Sequence, residues 1–421
     1  MAVCFINPPS PHLKQPKAQI PLGILYIAGY LRQFDQDVIV KNYSGHSFDE
    51  AINELPQSNV YALTCTSLQL PMINKFAKAI KHKYFTSRII IGGPGTCTPE
   101  YIDWENVDVA VQGEGEFAMR ALMYNKTNFR GLYYGDTIPD LDILPYPARD
   151  LIEELGGNVF AYDKNYLGED STQLITSRGC PFKCTFCAAP QINCTMRFRS
   201  VSSILAEVDH VIDQYGTRQF RIADDTFLLD INRLNDICKG LYKRDIAFRI
   251  STRVKPLSEK SLRIMHDAGL KEISLGIESA DDAVLKGFKK GATVKDNIKA
   301  LKLCRKVGIT TRILMMIRTP FQTPDTVVKN VEFIKNVPFD IVACTHYLPL
   351  PGSDVWNNPN DYGITIVDKD LSHYNFYGYG PKGRRQLEKI FLYNDRDTDE
   401  VNRESTVFMD FLESTGKVNT G

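Results

Sequence analysis

The feature that most limits the fold of this chain is a repeated order of segments: a short β-branched strand, a turn and an amphipathic helix. This order first appears across 2–6 and 21–31, and it returns from about residue 170 onwards. Strands that alternate with helices in this way pair in parallel, because each helix carries the chain back across the sheet. The sequence therefore predicts an α/β protein built on parallel sheets.

The first series of strands and helices covers about 120 residues. We predict strands at 2–6, 38–42, 60–65, 87–91 and 107–111, with helices at 21–31, 48–55 and 71–84. This pattern is typical of a doubly wound, Rossmann-like sheet, which binds its ligand at the carboxyl ends of its strands. Glycines that would let a bulky ligand approach the backbone follow these strand ends. They are Gly92, Gly93, Gly95, Gly113 and Gly115.

The second series predicts a different parallel sheet. Its strands are expected at 173–176, 219–223, 248–251, 272–275, 312–317 and 341–345, and its helices at 201–215, 230–242, 258–268, 294–306 and 324–336. Six strand–helix units of this size indicate a curved, partial TIM-like (βα)6 barrel. The functional site of such a barrel lies at the carboxyl ends of the strands.

We predict four segments along the chain. Residues 1–125 form the Rossmann-like domain, 126–168 a connector, 169–350 the barrel and 351–421 a small carboxyl-terminal extension. The connector includes a strand-like GLYYG segment. The sequence predicts a short helix in the extension but gives it no clear fold. An aromatic cluster in the extension could complete a substrate pocket; it consists of Tyr374, Phe376, Tyr377 and Tyr379.

Composition excludes several classes of protein. The chain has 50 basic and 50 acidic residues, so it lacks the positive surplus that binding to bare nucleic acid or to an anionic membrane requires. No apolar run approaches the roughly 20 residues needed to span a bilayer. The amino terminus lacks the basic region and cleavage site of a signal peptide. Ten cysteines in 421 residues are too few for a disulfide scaffold, so we expect a reducing, cytoplasmic location.

The segment SRGCPFKCTFCAAP carries three closely spaced cysteines, Cys180, Cys184 and Cys187. A zinc site usually has four ligands in two pairs, and no second CxxC or histidine pair follows; Cys194 is the alternative fourth ligand. Three thiolates on one loop suit three irons of a 4Fe–4S cube. The fourth iron is then open to a small chelating ligand.

This CxxxCxxC loop, just after the first strand of a (βα)6 chain, resembles the radical S-adenosylmethionine (SAM) superfamily. The resemblance implies that the open iron binds the amino and carboxylate groups of SAM. One electron from the cluster then cleaves SAM to methionine and a 5′-deoxyadenosyl radical. Phe186 matches the aromatic residue that flanks the adenine in this superfamily.

The resemblance also assigns SAM-binding roles to residues at the later strand ends. Asp224 and Asp225 follow strand two, where the family binds the SAM amino group; the alternative is a pair of helix caps. After strand three, Arg253 could bind the SAM carboxylate and Ser251 could donate a hydrogen bond nearby, unless Arg253 is a surface residue. Glu278, after strand four, suits the ribose hydroxyls or the amine, with helix capping as the alternative.

The turn after strand five departs from the family pattern. The segment MMIRTPFQT keeps Pro320, Gln322 and Thr323, but Ile317 and Arg318 stand where the family has a small residue. Arg197 and Arg199, which follow the cluster loop, are interpreted as structural residues that tie this loop to the barrel.

Residues 1–120 resemble the cobalamin-binding domain that precedes the barrel in one large radical SAM subclass. The resemblance rests on NPPSP, PLGILYIAGYL, GGPGTCTPE and DVAVQGEGE, and it implies cofactor contacts from Pro8, Gly92, Gly93, Gly113 and Glu114. Two features differ. The DxHxxG motif that donates a histidine to cobalt is absent, and Gly95 replaces the last residue of the usual GGPH loop.

Other histidines and cysteines are interpreted as non-ligands. His12 and His46 are expected to be solvated loop residues. Cys4, Cys65 and Cys97 could hold an auxiliary cluster, as in the methylthiotransferase branch, but small buried thiols are the expected alternative. The same interpretation applies to Cys238, Cys304 and Cys344.

The sequence thus predicts a radical SAM enzyme, with cobalamin-dependent C-methylation of an unactivated carbon as the leading hypothesis. The expected partners are a small-molecule or peptide substrate and a one-electron reductant such as flavodoxin or ferredoxin. The alternative is a radical SAM isomerase, oxidative cyclase or methylthiotransferase whose first domain holds no cobalamin. A non-catalytic iron–sulfur protein and a structural zinc protein are the remaining hypotheses.

Overall fold

The structure is a computed structural model of the chain. It describes residues 2–10, 16, 19–125, 128–153, 167, 171–189, 195–374 and 390–418. The chain separates into two compact units: Met1–Gly157 with Asp370–Ser372, and Asn158–Lys369 with His373–Gly421. Each unit contains its own six-stranded parallel sheet. None of the helices in the described part of the chain combines the length and apolar character needed to cross a bilayer.

The first unit contains a doubly wound sheet with the strand order β2-β1-β3-β4-β5-β6. The strands are β1 (Val3–Asn7), β2 (Val38–Asn42), β3 (Val60–Thr64), β4 (Arg88–Gly92), β5 (Val109–Gly113) and β6 (Gly131–Gly135). Every neighbouring pair is parallel. The order changes direction between β1 and β3, so a ligand crevice is expected at the carboxyl ends of these strands.

Among the described residues of this unit, the α-helices that cover the sheet are α1 (Leu22–Arg32), α2 (Phe48–Asn53), α3 (Leu70–Lys83) and α4 (Gly115–Tyr124). Most of their apolar residues are buried, as the amphipathic pattern of the sequence predicts. One difference concerns GLYYG. The sequence analysis assigned it to the connector, whereas it forms the sixth strand and pairs with β5. Its short length and two glycines weaken the strand pattern, so only the neighbouring strand identifies it.

The second unit is built on the sheet order β14-β13-β12-β11-β10-β7, in which successive strands are neighbours. These strands are β7 (Ser171–Leu174), β10 (Gln219–Ile222), β11 (Ala247–Arg253), β12 (Leu270–Glu278), β13 (Thr310–Ile317) and β14 (Ile341–His346). All five pairings are parallel. The predicted α/β fold, with a Rossmann-like domain followed by a partial TIM-like barrel, is confirmed.

Helices connect the strands of the barrel sheet. They are α5 (Val201–Tyr215), α6 (Ile231–Tyr242), α7 (Glu259–Asp267), α8 (Asp282–Gly287), α9 (Val294–Val307) and α10 (Pro324–Asn336). Side chains alternate between the two faces of a strand, and on β12 Ile273, Leu275 and Ile277 belong to the hydrophobic core between the sheet and these helices. The residues between them, such as Ser274 and Gly276, therefore face the barrel interior.

The carboxyl-terminal extension has more regular structure than the short helix that the sequence predicts. It contains α11 (Asp354–Asn357), the antiparallel pair β15 (Ile364–Ile366) and β16 (Phe391–Tyr393), and α12 (Thr398–Ser414). Phe408, Met409 and Leu412 of α12 join the hydrophobic core of the barrel. Tyr374 contacts Trp356 with a ring-centroid distance of 6.1 Å. The other members of the predicted aromatic cluster, Phe376, Tyr377 and Tyr379, lie outside the described residues.

Candidate functional site

The three cysteines lie in a loop whose two ends are joined. The loop leaves β8 (Ser177–Arg178) and returns in β9 (Arg197–Phe198), and the two strands pair in antiparallel fashion. Further along the loop, the Thr185 amide donates to the carbonyl of Phe288 at 3.1 Å, and the Val355 amide donates to the carbonyl of Thr185 at 3.2 Å. The cysteine loop is thereby attached to the turn after α8 and to α11.

Cys180, Cys184 and Cys187 are free thiols near one another. Cys184 is buried and the other two are half-buried. Burial raises the pKa of Cys180 and of Cys187, and charge on the neighbouring thiols raises both further. Within the described ranges no three His, Cys, Asp or Glu side chains converge on one metal ion. A 4Fe–4S cube does not need such convergence, because each cysteine binds a different iron. Cys194, the alternative zinc ligand, lies outside the described residues.

Arg253 lies against the cysteine loop at the end of β11. Its Nη1 donates to Cys184 Sγ at 2.9 Å, and its guanidinium carbon lies 3.9 Å from the centroid of the Phe182 ring. The sequence predicted that Arg253 binds a SAM carboxylate. In the structure the guanidinium contacts the thiol of a predicted cluster ligand and stacks on an aromatic ring, so it is not a surface residue.

The two aspartates after β10 have different environments. Asp224 is 4% exposed, and it accepts hydrogen bonds from the Thr176 amide (2.7 Å) and the Ser177 hydroxyl (2.6 Å), and another from the Thr176 hydroxyl. Burial raises the pKa of Asp224, and these hydrogen bonds and the charge of Arg233 oppose the rise. All its bonds fix the backbone that leads into β8. Asp224 therefore anchors the cysteine loop.

Asp225 is exposed and has no hydrogen-bond partner among the residues that the structure describes. Its charge nevertheless acts on the thiols of Cys180 and Cys187. The pKa of Asp225 is raised, mainly because protein atoms crowd around the carboxylate and secondly by the charge of Asp224. Of the two aspartates, Asp225 is thus the one available to a ligand amine. Its binding of SAM stays a prediction.

Arg197 and Arg199 support the loop, as the sequence predicted. Arg197 pairs with Arg178 in the β8–β9 ribbon. Arg199 forms a buried ion pair with Glu207 and donates to the carbonyl of Ile175 at 2.9 Å. Both arginines therefore stabilise the base of the cysteine loop.

Glu278 ends β12 and is already paired in the structure. Its Oε1 lies 2.6 Å from Nζ of Lys290, a buried lysine that sequence reasoning missed. Nothing in the local sequence separates Lys290 from its neighbour Lys289, so burial alone identifies it. The Lys290 Nζ lies 5.8 Å from the centroid of Phe186, which packs edge-on against Phe288 at 5.0 Å. Ser251, on the interior face of β11, is half-buried and pairs in register with Ser274.

The turn after β13 differs from the family pattern, because Arg318 stands where a small residue is usual, and the structure gives the reason. Arg318 is 1% exposed, has φ of 58°, and its guanidinium carbon lies 4.7 Å from the ring centroid of Phe391 in the extension. Its amide donates to Gln322 Oε1 at 2.9 Å. A small residue could not make the contact with Phe391. Arg318 thus attaches the extension to the barrel.

An aromatic column connects the cysteine loop with the extension. Phe288 lies 5.5 Å from Tyr347, and Tyr347 lies 6.1 Å from Phe391, measured between ring centroids. Burial raises the pKa of Tyr347 well above its ordinary value. Within the described part of the chain, its hydroxyl has no hydrogen-bond partner.

The predicted cobalamin-binding residues lie at the carboxyl ends of the first sheet. An ideal Cβ on Gly92 would meet nothing within 4 Å, so this position is open to a ligand. Gly93 has φ of 103°, and a Cβ there would lie 2.7 Å from the carbonyl of Cys65, so the turn requires glycine. Pro8 is buried directly after β1.

The other two residues that the sequence predicts to contact the corrin, Gly113 and Glu114, lie against neighbouring parts of the first unit. A Cβ on Gly113, where φ is 104°, would lie 2.6 Å from the carbonyl of Gly135 in β6. Glu114 accepts a hydrogen bond from the Ile138 amide at 2.5 Å. These contacts join β5 to β6, and contact of Gly113 and Glu114 with a corrin stays a prediction.

The remaining histidines and cysteines mostly follow the sequence interpretation. His46 lies 3.5 Å from Glu54, and His12 is outside the described residues. Cys4 and Cys65 are buried, and burial raises the pKa of each to about 12, whereas Cys97 is half-buried. Cys238, Cys304 and Cys344 are also buried, which confirms their interpretation as small apolar residues.

Two family models match the chain. The model described as the radical SAM superfamily matches residues 174–334, and the model described as the B12 binding domain matches residues 16–123. The first match contains the cysteine loop and the strand ends that carry the predicted site. The second contains most of the first sheet.

Curated proteins and a solved structure match most of the chain. The chain is 28% identical over 368 residues to a protein named uncharacterized methyltransferase from Pyrococcus horikoshii, covering 80% of this chain and 77% of that protein. It is 26% identical over 390 residues to the anaerobic magnesium-protoporphyrin IX monomethyl ester cyclase of Rubrivivax gelatinosus, covering 85% and 68%.

The fold is similar to that of TsrM from Kitasatospora setae, a radical SAM methyltransferase solved with cobalamin and a [4Fe-4S] cluster bound. The TM-score is 0.72 at 14% identity, and the match covers 99% of this chain and 90% of TsrM. At this identity the likeness shows the fold.

Proposed function

This chain belongs to the radical SAM superfamily and carries a B12-binding domain, and we propose that it is a cobalamin-dependent methyltransferase that acts on carbon. The observation that carries this proposal is the combination within one chain of a closed three-cysteine loop at the barrel strand ends and a separate doubly wound sheet. A methyltransferase-named relative supports the same reaction class.

The residues around the cysteine loop fit a cluster with SAM bound. Cys180, Cys184 and Cys187 supply three thiolates, and the positively charged guanidinium of Arg253 donates a hydrogen bond to Cys184. A cluster held by these cysteines would supply the electron for reductive cleavage of SAM, and methylcobalamin in the first unit would supply a methyl group. We propose that Asp225 accepts hydrogen bonds from the SAM amine and that Glu278 binds the ribose.

The barrel interior has two kinds of wall. On β11 and β12 the interior residues are polar and include Ser251, Arg253 and Ser274. On β13 and β14 the half-buried residues that alternate with core positions include the apolar Leu314, Met316 and Ala343, beside the polar Thr310, Arg312 and Thr345. The apolar side chains exclude water and suit an unactivated carbon. This arrangement supports cofactor binding along β11 and β12 and substrate binding along β13 and β14.

The first unit fits a corrin at the edge formed by the loops after β1, β3 and β4. Gly92 leaves open space there, and Pro8 ends β1 beside the change in strand direction. The sequence has no DxHxxG motif, so we propose cobalamin binding without a histidine ligand from that motif. A one-electron reductant such as flavodoxin or ferredoxin would reduce the cluster.

Anaerobic reconstitution tests the proposal. Protein loaded with iron, sulfide and hydroxocobalamin is expected to bind one cluster and one corrin per chain, and to form 5′-deoxyadenosine with dithionite and SAM. The matched control replaces Cys180, Cys184 and Cys187 by Ala, which should abolish the cluster and the nucleoside product and leave the corrin absorbance in place. Cluster-loaded protein that forms no 5′-deoxyadenosine would refute the radical assignment.

A second function, a radical SAM enzyme of another reaction type such as an oxidative cyclase, is favoured by the cyclase relative. Gly95, which differs from the family's usual GGPH loop, is the feature of the sequence that favours a first unit without corrin. The corrin content of the reconstituted protein tests this last point. Formation of 5′-deoxyadenosine without any bound corrin would favour an enzyme whose first unit holds no corrin.

A further inference from the structure

Four charged side chains lie close together in the barrel interior, on four neighbouring strands. Arg221 of β10, Arg249 of β11 and Glu272 of β12 are in register, and Arg312 of β13 is in register with Ser274, two residues further along β12. The residue that follows each of the four on its strand belongs to the hydrophobic core between sheet and helices. Successive side chains of a strand point to opposite faces, so these four charges face the interior.

This group has an excess of positive charge. Three guanidinium groups and one carboxylate give a formal charge of three minus one, or +2. Arg249 is 8% exposed, and its Nη1 lies 3.5 Å from Glu272 Oε1. Burial lowers the pKa of Arg249 to about 10; Glu272 opposes this shift, and the charges of Arg221 and Arg312 add to it. The arginines therefore repel one another, and an anion between them would relieve the repulsion.

Arg312 carries a charge that no described residue balances. It is half-buried, it forms no hydrogen bond or ion pair within the described part of the chain, and its Nε is buried. A charge removed from water without a partner is unfavourable. A guanidinium presents its N–H donors in a planar fork that matches a carboxylate or a phosphate. Arg312 thus indicates an anionic ligand.

The wall of β13 becomes apolar towards the mouth of the barrel. Leu314 and Met316 follow Arg312 on the same face of the strand, and both are half-buried. Ser274, level with Arg312, precedes by two residues the partner of Arg253, and Arg249 precedes Arg253 by four residues. At about 3.3 Å per residue, the interior arginines lie about 7–13 Å below Arg253 at the cysteine loop. A ligand held by them would therefore reach the loop along an apolar wall.

We propose that Arg221, Arg249 and Arg312 form a subsite for an acidic group of the substrate, a carboxylate or a phosphate. The substrate is then an amphipathic acid whose apolar part lies along Leu314 and Met316. Its acidic group is remote from the carbon at the mouth, so this group anchors the substrate and takes no part in the reaction. This inference rests on the proposed function, because it takes the barrel interior as the substrate site.

The test compares small molecules that share an apolar ring and differ in charge. Cluster-loaded protein is unfolded thermally under anaerobic conditions with 3-phenylpropanoate, with phenyl phosphate or with the neutral 3-phenylpropanamide, at equal concentration and ionic strength. At about ten times its dissociation constant, at least one acid should raise the melting temperature (Tm) of the wild type by about 3–6 °C. The amide should leave the Tm unchanged. A response to the carboxylate alone identifies a carboxylic acid as the substrate, and a response to the phosphate alone identifies a phosphate ester.

Arg312→Met removes the guanidinium that no described residue balances. We expect this variant to bind the acids at least about 10-fold more weakly, as for a lost hydrogen bond between charged groups. The Tm of the ligand-free variant should equal or exceed that of the wild type, because an uncompensated charge is gone. A structural arginine would instead lower this Tm when replaced. The control, Arg305→Met, removes an arginine of α9 whose side chain is 59% exposed, and it should bind the acids as wild type does.

A second variant keeps the test decisive if Arg312→Met loses stability. Arg221→Gln removes another half-buried guanidinium, on a different strand, and it should also weaken binding of the acids. Unchanged acid binding in a folded Arg312→Met or Arg221→Gln variant, or an equal response of the wild type to the amide, refutes the subsite. If the wild type forms 5′-deoxyadenosine but responds to neither acid, the subsite alone is refuted. If the acids bind but no 5′-deoxyadenosine forms, the proposed function fails and the anion subsite remains.

Discussion

The two neighbouring aspartates after β10 provide a sharp test of the site, because the structure gives them opposite roles. Asp224→Ala removes the acceptor for the Thr176 amide, the Thr176 hydroxyl and the Ser177 hydroxyl. The amide cannot turn towards another partner, so leaving it buried and unsatisfied costs about 1–3 kcal/mol. Each hydroxyl loses about 1 kcal/mol of net hydrogen bonding. We therefore expect this variant to lower the free energy of unfolding of the second unit by about 3–5 kcal/mol.

The chain offers a convenient assay for the second unit. Its two tryptophans are Trp104 in the first unit and Trp356 in the second. In a Trp104→Phe background, the fluorescence of Trp356 reports urea unfolding of the second unit, and its neighbour Val355 is hydrogen-bonded to the cysteine loop. The control, Asp225→Ala, removes an exposed carboxylate and should change the free energy by no more than about 0.5 kcal/mol. Comparable destabilisation by the two variants, or a loss below about 1 kcal/mol for Asp224→Ala, would contradict the assigned roles.

Two further predictions concern charged groups. Arg253→Met removes the hydrogen bond to Cys184 Sγ and a positive charge beside it. We therefore expect a more negative reduction potential of the cluster, measured by a redox titration followed by electron paramagnetic resonance. An unchanged potential would contradict this expectation. The Lys255 ammonium and Thr293 lower the pKa of Asp296 from 3.8 to about 2. The ionised carboxylate therefore stabilises the fold above about pH 4, and this stabilisation is lost as the pH falls towards 2. Urea unfolding at pH 5 and pH 3 should therefore show a smaller acid-induced loss for Asp296→Asn than for wild type, and equal losses would refute the argument.

Local spacing was enough to predict the architecture and the cysteine loop. The three cysteines are close in sequence, so no long-range contact is needed to bring them together. The barrel strands were predicted because buried parallel strands are β-branched and alternate with amphipathic helices. GLYYG was recognised as strand-like but assigned to the connector, because only its pairing with β5 shows that it belongs to the first sheet.

The sequence could not separate neighbours whose roles depend on which way a side chain points. Asp224 and Asp225 are identical in type, yet only Asp224 reaches the backbone before β8. In the same way Lys289 is exposed and Lys290 is buried against Glu278. These differences come from the geometry of a turn and from packing across the sheet, which residue type does not encode.

The position of Arg318 depends on a contact between residues that are farther apart along the chain. It contacts Phe391, 73 residues further along the chain, in an extension whose fold the sequence did not reveal. A small residue is usual in the family at this turn, so the departure was visible, but its structural partner was not. The contact could be recognised only once the extension was placed beside the barrel.

The antiparallel pairing of β8 with β9 closes the cysteine segment into a loop whose two ends are held together. Backbone hydrogen bonds close it, and the entropic cost of closure grows by only about 0.6 kcal/mol for each doubling of loop length. Residues can therefore be added or removed between the last cysteine and β9 without moving the strands of the barrel sheet. Such variation would change the segment that follows the three cysteines, while the paired strands β8 and β9 stay in register.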